Sequence, residues 1–93
     1  MATACQVTIA SKGLINVGIS CYLNGKRLGT LNKKVPLVAQ TSVFANSIIL
    51  TELTANKTQT EMCKYDFTAI PGGALAFVWT GKRGSAGIKQ ISQ

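Results

Sequence analysis

Ninety-three residues are enough for one domain with one core and too few for two. An apolar fraction of 46% against 14% charged residues excludes a disordered chain, which could not bury enough apolar surface to offset its lost conformational entropy. Ten Lys and Arg against three acids leave a net charge of +7, which points to an anionic partner or to the charge that so apolar a chain needs for solubility.

The opening stretch MATACQVTIASKG has neither a basic leader nor an apolar core of useful length, so it does not read as a secretory signal and a cytoplasmic location is expected. Ala2-Thr3-Ala4-Cys5 resembles the small residues before a lipid-modified cysteine, so export or anchoring through a trimmed leader is the alternative. Cys5, Val7 and Ile9 alternate with Gln6, Thr8 and Ala10, the period of a half-buried strand, and Lys12-Gly13 supplies a turn. Residues 14–23 alternate strictly, with Ile15, Val17, Ile19, Cys21 and Leu23 on one face and Tyr22 on the other. Asn24-Gly25 then offers two positions tolerant of positive φ, as a type I′ turn requires. A two-residue loop pairs Leu23 with Lys26, Cys21 with Leu28 and Ile19 with Thr30. Lys26 and Arg27 follow the turn, where cations are expected either as a solvated hairpin tip or as contacts to an anion.

Asn32-Lys33-Lys34 reads as the next loop, and VPLVA (35–39) as a short strand placed at a sheet edge by Pro36, which cannot donate to a ladder. SIILTEL (47–53) is a β-branched strand, and the polar TANKTQT (54–60) connects it to the next. Asn56-Lys57-Thr58 matches a glycosylation acceptor, which has meaning only in an exported protein. From 61 to 70, Cys63, Tyr65, Phe67 and Ala69 alternate with Met62, Lys64, Asp66 and Thr68, until Pro71-Gly72-Gly73 turns the chain. In ALAFVWT (74–80), Leu75, Phe77 and Trp79 share a face; Gly81-Lys82-Arg83-Gly84 is another turn and IKQIS (88–92) a last strand. Seven or eight short strands without a helical period predict an all-β single domain over 1–93, a small antiparallel β-sandwich or, alternatively, a small barrel.

Catalytic chemistry is thinly supplied. The chain has no histidine, so the commonest general base, zinc ligand and triad partner are missing. Glu61 and Asp66 differ in strand parity and are expected on opposite faces, which disfavours a carboxylate pair. Cys5, Cys21 and Cys63 cannot all pair with one another and lack Cys-x-x-Cys spacing; they read as small buried side chains in a reducing compartment. No enzyme activity, metal, cofactor or small-molecule substrate is implied.

The cations fall in groups, Lys26-Arg27, Lys33-Lys34 and Lys82-Arg83 with Lys89 beyond, whereas all the acids lie between 52 and 66. Gly81-Lys82-Arg83-Gly84 has the form of the Gly-x-x-Gly loop of KH domains, but too few residues follow it to supply their remaining elements. It reads as a Gly-rich basic turn whose backbone N–H groups offer unspecific phosphate contact. Lys26, Arg27, Lys33, Lys34, Lys82 and Arg83 are therefore the candidate anion or partner contacts, with Tyr22 a candidate stacking ring.

VGISCYLNGKRLGTL (17–31) resembles the first hairpin of small immunoglobulin-like bacterial modules of the PEGA type, and YDFTAIPGGALAFVW (65–79) their closing strands, together about a third of the chain. The resemblance implies a binding or scaffold module with no catalytic residues. The reading that follows is a non-catalytic interaction module that meets a protein or an anionic surface, or a second copy of itself, through the edge at Val35–Ala39 or the basic turns. A nucleic-acid-binding small barrel is the alternative. The longest apolar run, ALAFVW, has six residues against roughly 20 for a helical span, so no membrane span is expected.

Overall fold

The computed structural model describes residues 4–12, 18–32, 34–53, 56–82, 84 and 87–92. Among them are eight strands and no helix: β1 (Cys5–Ser11), β2 (Ile19–Leu23), β3 (Lys26–Thr30), β4 (Leu37–Thr41), β5 (Ala45–Leu53), β6 (Gln59–Thr68), β7 (Ala74–Trp79) and β8 (Ile88–Ser92). They form two four-stranded sheets, ordered β4-β1-β7-β8 and β3-β2-β5-β6. All pairs are antiparallel except β1 with β7. The sheets do not close on each other, so the sandwich expectation holds and the barrel alternative does not.

The period-two pattern explains the layering, since the alternate apolar residues of each strand are those the two sheets bury between them. Val7, Ile9, Cys21, Ile48, Leu50 and Phe77 are at most 1% exposed, and burial of each large side chain contributes roughly 2 kcal/mol. Phe77 sits against Phe67 and Tyr65, with ring centroids 4.8 and 5.6 Å away. All three cysteines are buried and free, as the sequence predicts.

Two local expectations are corrected. Leu23 pairs with Lys26 as foreseen, but a bulge then intervenes, so that Cys21 faces Gly29 and Ser20 faces Thr30; Leu28 is the extra residue. A second irregularity, between Leu50 and Thr51, leaves Met62 without a counterpart. Glu61 consequently lies opposite Thr51 and Asp66 opposite Ser47, positions of like parity on β5, so the two carboxylates share a face instead of opposing faces. Four residues of β5 still separate their rows, about 13 Å. The alternating run expected at 14–23 is a strand from Ile19 onward, and residues 13–17 lie outside the described residues.

Register also fixes which connections share an end. The β2–β3 turn and the crossovers at 42–44 and 69–73 gather beside Cys5 and Thr41, called here the tip end. The connections from Thr30 to Leu37, Leu53 to Gln59 and Trp79 to Ile88 gather at the opposite end of a molecule 44 Å long.

Candidate binding site at the open seam

The hairpin that carries Lys26 and Arg27 forms for the reason its sequence gives. Asn24 and Gly25 have φ of 53° and 86°, both positive as a type I′ turn demands. The tip is also clasped: Asn24 N–H donates to the Ser47 carbonyl, Ser47 N–H donates to Asn24 Oδ1, and Asn24 Nδ2 donates to Asn46 Oδ1, at 2.8–2.9 Å. Lys26 and Arg27 thus leave a fixed turn, not a freely moving one.

β3 pairs only with β2, and β4 only with β1, so these two strands are the edges of opposing sheets along one side of the sandwich. Between them lies an open cavity of about 520 Å³, whose walls include Lys26, Arg27 and Leu28 from β3 and Val38, Ala39 and Gln40 from β4. Leu23 and Thr41 extend the lining, which contains two cations and no carboxylate. The edge strand that follows Pro36 and the cationic hairpin tip, expected separately from the sequence, therefore meet at one seam. Val38 is 60% exposed at its rim.

The other candidates do not converge there. Tyr22 is half-buried, flanked by Arg27 on one side and Ile49 on the other, with Lys64 next in the row. Arg27 also donates from Nη2 to Thr30 Oγ1, 2.9 Å away. Lys34 and Lys82 are exposed at the end opposite the tip, where Lys12, Lys57 and Lys89 join them. Lys33 and Arg83 lie outside the described residues.

The turn after β7 is built inward. The Lys82 carbonyl accepts from Trp79 Nε1 at 2.9 Å and from the Cys63 thiol at 3.2 Å, while Gly84 N–H donates to Met62 and Gly87 N–H to Gly84. The N–H groups of Gly84 and Gly87 are thus committed to the fold, which removes them from the phosphate contact expected of this turn. Burial pushes the Cys21 thiol up to about 12, so it is protonated at neutral pH.

Leu28 and Gln40 in the seam, and Lys12 and Lys57 at the lysine end, were not singled out by sequence reasoning. The first two depend on a bulge and on which sheet each strand joins. The lysines had a signal, since each sits at a strand boundary, but their shared end emerges only with the strand order. No family model matches the chain, and neither do curated proteins or solved structures.

Proposed function

We propose that the chain is a non-catalytic binding module that takes an extended segment of a partner protein along the β3–β4 seam. The observation that carries this reading is the seam itself, a cavity of about 520 Å³ bounded by two sheet edges and lined by apolar side chains, the polar Asn24, Gln40 and Thr41, and two cations. An edge strand offers an incoming strand its outward backbone groups, while pockets beside it select side chains. Cations without a neighbouring carboxylate favour acidic residues in the partner. The lack of histidine and the protonated Cys21 support a role without catalysis, as does the resemblance to PEGA-type modules.

Selection of extended peptides from a displayed random library, with affinity read by fluorescence polarisation, tests the reading. Selected peptides should be acidic, and Val38→Glu or Lys26→Glu should weaken them at least tenfold. Equal binding to Val38→Glu would refute the seam. A second copy could supply the same strand, and light scattering that shows a strict monomer at high concentration would remove that version.

Nucleic-acid binding is retained as a second reading because one observation favours it: Lys12, Lys34, Lys57, Lys82 and Lys89 gather at one end. Fluorescence anisotropy of labelled oligonucleotides over a salt series separates it from the first, since phosphate contacts give affinity that falls with a fixed log–log slope.

A further inference from the structure

The tip end, away from the lysines, presents Val43 and Phe44 on one crossover and Ile70 on the next, 52%, 72% and 45% exposed. The two crossovers are joined, because Ala69 N–H donates to the Phe44 carbonyl at 2.9 Å. A flexible loop would fold such side chains back onto the protein; this one is held outward. Asn46, only 5% exposed, uses its whole amide to fix it. Its Nδ2 donates to the carbonyls of Val43 and Phe44 at 3.0 and 3.1 Å, and its Oδ1 accepts from Thr41 Oγ1 at 2.6 Å and Asn24 Nδ2 at 2.8 Å. The buried amide thus locks the apolar crossover to the cationic hairpin.

We infer that this tip is a docking surface for an anionic membrane, with Val43, Phe44 and Ile70 entering the interface, Lys26 meeting lipid headgroups and Arg27 adding its charge from the row behind. Two arguments select a membrane over a second copy or a folded partner. The first is size. Three part-exposed side chains offer a few hundred Å² at most, well below the roughly 800 Å² per partner of a stable protein interface, whereas an interface inserts side chains singly and needs no matching shape. The second is charge. Lys26 pairs with Leu23, in the β5 row of Ile48, and Arg27 lies in the row of Ile49. They stand four and five residues back from Phe44, roughly 13–17 Å. The long Lys26 side chain reaches toward the headgroups of a membrane entered 5–10 Å deep, whereas Arg27, held on Thr30, acts through its field within about a Debye length. Lys64 adds a third cation, in the row of Ile49, while Asp66, in the row of Ser47, stands nearer the tip than any of the three and leaves the group with a net positive charge.

Flotation with phosphatidylcholine vesicles, and with vesicles containing a third phosphatidylserine, tests this on the full chain. Binding should require phosphatidylserine, fall at least tenfold in Phe44→Ser, and weaken several-fold in Lys26→Ala/Arg27→Ala. Phe44 is mostly exposed, so its replacement leaves the core intact, and circular dichroism checks that. No vesicle binding would overturn the inference. Binding indifferent to Phe44→Ser would overturn it too, by reducing the effect to attraction of a +7 chain. A concentration-dependent dimer abolished by Phe44→Ser would assign the tip to a second copy. Val38→Ser, which strips the apolar rim of the seam without adding charge beside Lys26 and Arg27, should weaken peptide capture and leave vesicle binding unchanged, so the two proposals fail separately.

Discussion

At the scale of single residues, two buried polar groups determine more than any surface charge. Asn46 is the hub between the hairpin tip, Thr41 and the apolar crossover. Asn46→Ala removes every one of these partners at once and leaves the Asn24 amide and Thr41 hydroxyl without their acceptor, so a loss of about 3 kcal/mol is expected in urea unfolding. Phe44 should become protease-accessible in that variant even where the core stays folded. Cys21 makes a different prediction, through its proton. Burial raises its thiol from 9.0 to about 12, so between those pH values the folded chain keeps a proton that the unfolded chain releases. Stability is therefore fully present below about pH 9 and declines as pH rises, with this thiol contributing up to about 1.4 kcal/mol per pH unit. The difference between wild type and Cys21→Ala isolates the effect. Parallel alkaline unfolding curves for the two would show that the Cys21 thiol is not its source.

At the scale of elements, the turn after β7 shows how a close approach dictates sequence. A Cβ on Gly87 would overlap the Lys82 carbonyl oxygen and lie 3.0 Å from Cys63 Sγ, so no side chain fits without displacing backbone. Gly87→Ala should cost about 3 kcal/mol or more. The shift should appear in the emission of Trp79, the single tryptophan, whose indole N–H donates to that same carbonyl. Unchanged stability with unchanged emission would mean that the turn yields more easily than its packing implies. What could be read from the sequence follows the same division between local and distant. Alternation in Cys5–Ala10 and Ile19–Leu23 and the Asn24-Gly25 turn are local properties, and the structure has them; the edge strand expected at 35–39 is found at an edge but two residues on, at Leu37–Thr41, with Pro36 before it. The bulges at Leu28 and Met62 were not legible, because which residue is extra depends on the register of the partner strand; the one trace in β6 is that consecutive Met62 and Cys63 are both buried. The seam was legible only as two unconnected halves, since nothing in Lys26–Leu28 announces that Val38–Gln40 lies across from it.

For the whole molecule, strand direction sorts the charge into two populations that the sequence runs together. Lys26 and Arg27 stay with the apolar tip and the seam, whereas Lys34 and Lys82 join Lys12, Lys57 and Lys89 some tens of ångströms away on a 44 Å axis. With a Debye length of about 8 Å at physiological salt, the two groups act as separate fields. The cation groups read from the sequence thus fall, where they are described, at two ends of the molecule, and charge reversal can separate their effects. If the chain binds nucleic acid, five clustered lysines make the lysine end the contact. Lys34→Glu/Lys82→Glu should then weaken oligonucleotide binding and reduce the log–log salt slope by about 2, because each lost phosphate contact removes about 0.9 from a duplex slope. Lys26→Glu/Arg27→Glu should leave that slope unchanged while abolishing capture of acidic peptides. The reverse pattern would move nucleic-acid recognition to the hairpin tip and make the seam part of it. Glu52 and Glu61 sit at the lysine end on β5 and β6, so a polyanion must approach from the side of β1, β4, β7 and β8, and Lys12→Glu should weaken it more than Lys57→Glu.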